Sequence, residues 1–299
     1  MNRPTRESAS GRAYLDLQNQ ARREKKQTQD LLTMYVVERW LDRMSRSKYS
    51  QDFILKGGML LAAIGSRRPT SDADTLARNM PADEETVAIR VAEIAALADP
   101  ADGVEYLADT IKTVAIRDDA MYGGIRVTMD ALLGTAVLKL KLDINFGDPV
   151  TPGPQMIELP SLRTDTPPVV VLGYTTETVL AEKIVTALAL GDFSTRVRDW
   201  GDVYVVSRSH DFAGQALRAA IDATAAHRNE DIRPLSDAIG DIAALRANTW
   251  AAYRRNLGPD GEQLPLNFAE VVGAVVAFSD PVLADPPAAT WNAATTSWS

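Results

Sequence analysis

The segment that most constrains the fold is residues 137–146, in which apolar and polar side chains alternate strictly. Leu138, Leu140, Leu142, Ile144 and Phe146 alternate with Lys139, Lys141, Asp143 and Asn145. A period of two residues is typical of a β-strand with one buried face and one polar face. The segment therefore predicts a sheet whose polar face carries a carboxylate beside lysines. A half-exposed edge strand of alternating charge fits the same pattern.

Other segments predict an α/β half followed by a helical half. Apolar and β-branched runs predict strands near residues 53–55, 68–76, 104–107, 111–116, 124–129 and 169–172. Apolar residues spaced three and four apart predict helices over residues 12–47, 59–64, 84–97, 176–190, 196–207, 213–227, 235–257 and 268–278. We expect an α/β (α+β) core with a mixed sheet, followed by an all-helical C-terminal lobe in a bilobed chain.

The expected domain boundaries follow from this order of segments. Residues 1–50 would form basic helices packed on the core, and residues 51–172 would form the α/β core. Residues 173–282 would form the helical lobe. Residues 283–299, rich in Pro, Ala, Thr and Ser, would be a loosely ordered tail.

Composition excludes several kinds of chemistry. The 299 residues include two histidines and no cysteine. The absence of cysteine excludes disulfides, thiolate nucleophiles and Cys-type zinc sites. Carboxylates remain as metal ligands, and they suit Mg²⁺ or Mn²⁺. No apolar run is long enough for a signal or a membrane span, so we expect a cytoplasmic protein with no membrane partner. The formal charge is −8, but residues 1–50 hold eleven Lys/Arg against six Asp/Glu. Nucleic-acid binding is therefore expected to be local and salt-sensitive.

Two aspartates, Asp72 and Asp74, form a D-x-D. Residues i and i+2 of a strand share a face about 6.5 Å apart, which lets two carboxylates hold divalent ions for phosphoryl or nucleotidyl transfer. A solvated loop is the alternative, because Asp is common in turns. Gly57 and Gly58 stand at a strand-to-helix junction, where backbone N–H groups can approach a phosphate, or where the chain simply turns tightly. Asp143 is a candidate third metal ligand or general base.

A lysine and two aspartates follow in the helical half. Lys183 lies at the margin of the apolar face predicted over residues 176–190, where it can reach a phosphate or extend to solvent. Asp199 and Asp202 are one helical turn apart, beside Arg196 and Arg198. Asp199 either orients Lys183 or belongs to a charged helix face.

Together these motifs resemble the AbiEii-family nucleotidyltransferase toxins, including the mycobacterial MenT group. That pattern runs K-G-G, R-x-T-x-D-x-D, K-x-D-[IV]-x-[FW]-G-D, A-E-K and R-D-x-x-D. The chain supplies these motifs in order over about residues 50–206, beginning at Lys56, Arg68, Lys141, Ala181 and Arg198. Gly201 departs from the last motif, which usually has an aliphatic or aromatic residue there.

The resemblance implies a polymerase-beta-like nucleotidyltransferase core. It also implies Mg²⁺-dependent (or Mn²⁺-dependent) transfer of a nucleoside monophosphate from an NTP. Asp72 and Asp74 match the metal carboxylates, Asp143 a third carboxylate, and Lys183 and Asp199 the residues linked to nucleotide binding and activity. The candidate nucleotide-binding residues are thus Lys56, Gly57, Gly58, Arg68, Lys183 and Asp199. In MenT-type members the acceptor is the 3′ end of tRNA, extension blocks aminoacylation, and a cognate antitoxin restrains the toxin.

We therefore expect a monomeric toxin with a tRNA acceptor end and an antitoxin as partners. Candidate RNA-binding residues are Arg22, Arg23, Lys25, Lys26, Arg196 and Arg198. Thr70 and Ser71 precede the carboxylates, and a phosphate on either would add negative charge where the triphosphate enters; a hydroxyl that bonds within the turn is the alternative. Alternative functions are nucleotidyl transfer to a small molecule or a protein side chain, or nucleotide binding without catalysis.

Overall fold

The computed structural model describes residues 4–64, 70, 72–117 and 123–299, so Arg68 and Ser71 lie outside the described residues. The contacts within the chain divide it into two compact units. The first comprises Met1–Ala63, Pro69–Gly147 and Gln155–Gly173. The second comprises Ile64–Arg68, Asp148–Pro154 and Tyr174–Ser299. The basic N-terminal helices thus belong to the same unit as the sheet.

The first unit consists of four helices and a seven-stranded sheet among its described residues. The helices are α1 (Ala9–Glu24), α2 (Thr28–Arg46), α3 (Gly57–Ala63) and α4 (Glu84–Ala95). The strands are β1 (Phe53–Lys56), β2 (Ala73–Ala77), β3 (Val104–Arg117), β4 (Gly123–Leu133), β5 (Ala136–Phe146), β6 (Gln155–Leu159) and β7 (Val169–Gly173). The helical region predicted over residues 12–47 is two helices, because Lys25 adopts a left-handed conformation (φ 54°) that ends α1.

The sheet is mixed, as predicted, with the strand order β3-β4-β5-β2-β1-β7-β6. Strand β2 pairs in parallel with β5 and antiparallel with β1, and β1 pairs in parallel with β7. Strand β5 lies between β4 and β2, so the alternative interpretation of this segment as an edge strand is wrong. The edges are β3 and β6, and β6 was not predicted.

The core of this unit lies between the sheet and its covering helices. The apolar side chains of β5 from Leu138 to Ile144 are almost completely buried, and α2 packs against β5 and β7. Burial of each such leucine contributes about 1.5–3 kcal/mol. Arg43 of α2 is also buried, and it donates to the carbonyl oxygens of Ala95 and Val104, each at 2.8 Å, and to Asp102. These bonds fasten α2 to the residues that flank β3.

The second unit is mostly helical. Its helices are α5 (Thr176–Leu190), α6 (Val197–Ser209), α7 (Gly214–Arg228), α8 (Leu235–Ala238), α9 (Ile242–Leu245), α10 (Ala247–Asn256) and α11 (Phe268–Leu283). The helix predicted over residues 235–257 is divided among α8, α9 and α10. Asp192 accepts the backbone N–H groups of Gly240 (2.9 Å) and Asp241 (3.3 Å), and these bonds hold the chain in a non-helical turn.

The prediction of an all-helical C-terminal lobe is wrong in one respect. Strands β8 (Phe212–Ala213), β9 (Thr290–Asn292) and β10 (Ser297–Trp298) form a small antiparallel sheet. The tail that we expected to be loosely ordered supplies two of these strands. The Trp291 indole is buried and donates to the Ser207 carbonyl oxygen at 2.6 Å, and Trp298 stacks on Phe278. Hydrophobic burial of these tryptophans docks the tail. In the described part of the chain, no helix has both the length and the apolar character needed to cross a membrane.

Candidate active site

Four neighbouring strands of the sheet place four charged side chains in a row. The register sets Lys56 of β1 opposite Asp74 of β2, Asp74 opposite Asp143 of β5, and Asp143 opposite Arg126 of β4. Residues directly opposite each other share a face of the sheet, with Cβ atoms about 5 Å apart. We call these four residues the carboxylate row. Its charges run positive, negative, negative, positive, so each carboxylate has a cation on its outer side.

Arg126 holds Asp143 through two short hydrogen bonds. Its Nε donates to Oδ1 and its Nη2 to Oδ2, each at 2.7 Å. The hydrogen bond to Asp143 raises the pKa of Arg126. Sequence reasoning missed this arginine, although a signal was present: it alternates with the buried Ile125 and Val127 on the polar side of a predicted strand.

Asp72 precedes β2 and is held by two other groups. The Nζ of Lys141 donates to its Oδ2 at 3.0 Å, and the Thr70 hydroxyl donates to its Oδ1 at 2.9 Å. Lys141 belongs to the K-x-D motif, which thus supplies a cation for one carboxylate and contributes Asp143 itself. Thr70 is 7% exposed, and its hydroxyl bonds locally, which is the alternative that the sequence left open.

The surroundings of Asp74 shift the pKa of its carboxyl group. Burial raises its pKa, and the charges of Asp72 and Asp143 add to this effect. The Lys56 charge and a hydrogen bond from the backbone N–H of Gly58 act in the opposite direction but do not cancel the rise. The site therefore disfavours the ionised form of Asp74 relative to the same group in water.

The first glycine of the K-G-G motif packs directly against this aspartate. Gly57 opens α3 with φ +66°, and a Cβ atom added to it would lie 1.9 Å from Asp74 Oδ2. Only glycine fits, because any side chain would displace the carboxylate. The sequence predicted that these glycines approach a phosphate. In the structure, Gly57 and Gly58 contact Asp74.

The carboxylates fit a divalent cation in chemistry and in charge. Asp74 and Asp143 face each other on parallel strands, and carboxylate oxygens are the ligands that Mg²⁺ and Mn²⁺ prefer. Among the described residues, no group of three or more His, Cys, Asp or Glu side chains is gathered tightly enough to bind a metal ion. The pair is therefore the part of the site that suits a cation best.

The second unit contains a buried ion cluster around Lys183. Its Nζ donates to Asp199 Oδ1 at 2.7 Å and to Asp202 Oδ2 at 2.8 Å, and Arg196 Nε donates to Asp199 Oδ2 at 2.7 Å. Burial alone would raise the pKa of Asp199, but the charges of Lys183 and Arg196 outweigh it and hold this pKa well below its usual range. Burial likewise opposes the charge of Lys183, yet the two aspartates raise its pKa. Lys183 is thus a fixed cation that Asp199 orients.

Gly201 does not disturb this cluster. It lies inside the continuous helix α6, and a Cβ atom added there would meet the Trp250 ring at 3.4 Å, an ordinary contact. The departure from the family motif is thus accommodated without distortion near Asp199.

The candidate RNA-binding residues fall into two groups. Arg22, Arg23, Lys25 and Arg198 are exposed. Lys26 pairs with Glu24 at 3.3 Å, and Arg196 is engaged with Asp199. The exposed side chains are the ones available for a phosphate backbone.

A family comparison decides the class of the protein. The profile of the nucleotidyl transferase AbiEii toxins, of type IV toxin–antitoxin systems, matches residues 39–274. The chain belongs to the AbiEii family. This confirms the resemblance drawn from the motifs. AbiEii membership makes nucleotidyl transfer the activity class and implies an antitoxin as partner.

Three solved structures are similar to this AbiEii chain, each at 15% sequence identity. MenT4, a nucleotidyltransferase toxin from Mycobacterium tuberculosis H37Rv, has a TM-score of 0.48 over 84% of this chain and 93% of its own. A candidate nucleotidyltransferase from H. pylori has a TM-score of 0.44, over 81% and 91%. JHP933 from Helicobacter pylori has a TM-score of 0.40, over 81% and 94%. No curated protein sequence matches the chain.

Proposed function

We propose that this protein is a Mg²⁺-dependent toxin that transfers a nucleoside monophosphate from an NTP to the 3′ end of tRNA. The added nucleotide would block aminoacylation and therefore translation. The observation that supports this most directly is the carboxylate row, in which Asp74 and Asp143 face each other and each has a cation on its outer side. The toxin would act in the cytoplasm as a monomer under the control of a cognate antitoxin.

The row supplies what nucleotidyl transfer needs. In this reaction an acceptor hydroxyl gives up its proton to solvent and its oxygen bonds to the α-phosphorus. The P–O bond that joins the α-phosphorus to the β-phosphate breaks, and pyrophosphate leaves. A divalent cation held by Asp74 and Asp143, with Asp72 moving in as a third ligand, would neutralise phosphate charge and activate the hydroxyl. Lys141 and Arg126 hold two of these carboxylates by direct hydrogen bonds. Groups fixed before the substrate arrives need little reorganisation during the reaction.

Residues outside the row would serve substrate binding. We assign Lys183 and Asp199 to nucleotide binding and activity, as the family resemblance implies. Lys56, Gly57 and Gly58 would act mainly by shaping the surroundings of Asp74, since all three lie beside it. The exposed Arg22, Arg23 and Lys25, with Arg198, would bind the RNA backbone, and this binding should weaken as salt rises.

The decisive experiment measures label transfer. Purified protein is incubated with total tRNA, Mg²⁺ and each α-³²P-labelled NTP in turn, and RNA is resolved on a denaturing gel. Wild type should label tRNA, and tRNA oxidised with periodate, which has lost its terminal diol, should stay unlabelled. The Asp74→Ala variant, shown by circular dichroism to be folded, should transfer nothing.

The same assay separates the alternative functions. Label in protein or in an added small hydroxyl compound, with none in RNA, would establish a different acceptor. NTP binding by a folded wild-type protein that never releases pyrophosphate would establish nucleotide binding without catalysis.

A further inference from the structure

Arg126 lies outside every motif that the chain shares with the AbiEii pattern. A guanidinium has five N–H donors, and the pair with Asp143 uses one on Nε and one on Nη2. Among the described residues, Nη1 makes no hydrogen bond to protein, so three N–H donors remain for a ligand. The Arg126 side chain is 39% exposed, and Val114, which lies opposite it on β3, is 59% exposed. A ligand can therefore reach the outer side of Arg126.

A second ion pair joins strands β4 and β5, and it serves as a comparison for the pair of Arg126 with Asp143. Lys139 of β5 donates to Asp130 of β4 and joins the strands further along the ladder, on the same face as the carboxylate row. That pair is more exposed, at 62% for Lys139 and 31% for Asp130, and neither residue belongs to the carboxylate row. Arg126, in contrast, is aligned by a two-point bond to a carboxylate of the row, and its charge also interacts with Asp72 and Asp74.

We propose that Arg126 binds a phosphate oxygen of the substrates, and that Asp143 holds its guanidinium in place for this contact. The assignment rests on the proposed nucleotidyl transfer. Arg suits the contact because its planar fork matches phosphate geometry while one edge stays bound to a carboxylate. A guanidinium already held in one orientation loses little freedom when it binds. The phosphate belongs either to the triphosphate of the NTP or to the backbone at the acceptor end, and both present the same oxygen ligands.

Binding experiments with two probes distinguish these sources. Inorganic tripolyphosphate with Mg²⁺, measured by calorimetry, represents the triphosphate, and total tRNA, measured by filter binding, represents the acceptor. The variants are Arg126→Met, Arg126→Lys and the matched control Lys139→Met, which breaks the other ion pair between β4 and β5.

We expect Arg126→Met to weaken binding of at least one probe by about tenfold or more, the loss typical of a charge-assisted hydrogen bond. Lys139→Met should stay within about twofold of wild type. Arg126→Lys should recover only part of the loss, because lysine keeps the charge without the fork. Loss confined to tripolyphosphate identifies the NTP as the source, and loss confined to tRNA identifies the acceptor.

A metal measurement separates direct contact from an effect through Asp143. Mn²⁺ binding without phosphate, followed by electron paramagnetic resonance, should not weaken in Arg126→Met, because loss of a nearby positive charge does not disfavour a cation. Weakened Mn²⁺ binding would mean that Arg126 only positions Asp143, and would overturn the proposal.

Unchanged affinity for both probes, or no binding of either probe by wild type, would also overturn it. If Arg126→Met does not fold, Arg126→Lys decides. A wild type that binds tripolyphosphate through Arg126 but transfers no nucleotide would refute the proposed function alone.

Discussion

Replacing Gly57 with alanine tests whether this glycine positions Asp74. Two effects can be separated. At φ +66°, alanine is less favourable than glycine by about 1–2 kcal/mol. In addition, the new Cβ atom would lie 1.9 Å from Asp74 Oδ2, whereas ordinary contact begins at 3.4 Å, so the carboxylate would have to retreat by about 1.5 Å. A misplacement of about 1 Å in a reacting group costs roughly a hundredfold in rate.

A second glycine provides the control for backbone strain. Gly258 has φ +59°, and a Cβ atom added there meets no described atom within 4 Å. Gly258→Ala therefore carries similar strain without moving a carboxylate. In urea unfolding, Gly258→Ala should show this strain alone, about 1–2 kcal/mol, and Gly57→Ala should lose more stability because the overlap with Asp74 adds to it. In the label-transfer assay, Gly258→Ala should behave like wild type.

The two variants should differ in activity. We expect Gly57→Ala to transfer nucleotide about a hundredfold more slowly than Gly258→Ala when both are folded. Equal rates at equal folded fraction would refute the reasoning, because they would show that Asp74 tolerates displacement or that α3 moves away at no cost to the site.

Four further variants test other features of the two units. Asp74→Asn should abolish transfer yet raise the free energy of unfolding at pH 7. Because the folded-state pKa of Asp74 is raised, wild type loses stability as the pH rises above 3.8. Urea titrations should therefore show that the stability advantage of the variant grows over that range. Asp199→Asn should be less stable than wild type at pH 7. The difference should shrink as the pH falls below 3.8, because the unfolded chain then takes up a proton at Asp199 before the folded protein does. Gly201→Ala should raise the unfolding free energy by about 0.5–1 kcal/mol in thermal or urea unfolding, since the methyl group has room. Thr70→Glu should abolish label transfer, since it removes the hydroxyl bond to Asp72 and adds a negative charge, and full activity would contradict this.

The parts of the candidate site that depend on local sequence patterns could be predicted. The strict alternation of residues 137–146 was enough to predict β5 and to place Asp143 on its polar face, since side-chain period is a local property. The bounds of α5 were also predicted, because Thr175 accepts a hydrogen bond from the Thr178 N–H and caps its start, and Gly191 follows its end.

The missed features depend on contacts distant in sequence. Nothing local shows that β2 pairs in parallel with β5, and only that register brings Asp74 opposite Asp143. The division of the helix predicted over residues 235–257 likewise depends on Asp192, more than 40 residues earlier in the chain. Short strands such as β9 have too few residues for a periodic signal, and the burial of Trp291 is what fixes the tail.

The topology of the carboxylate row also orders its assembly. Asp143 and Arg126 are 17 residues apart and meet in the β4–β5 hairpin, and Lys56 and Asp74 meet through the neighbouring strands β1 and β2. The contact of β2 with β5 spans about 70 residues, and long-range pairing generally forms later than local pairing. Each half of the row is then an electrically neutral pair before the halves join, so repulsion between Asp74 and Asp143 arises only at the last step. A growing chain cannot complete the row until β5 has been synthesised, so the nascent chain lacks the assembled carboxylate row through the first half of translation.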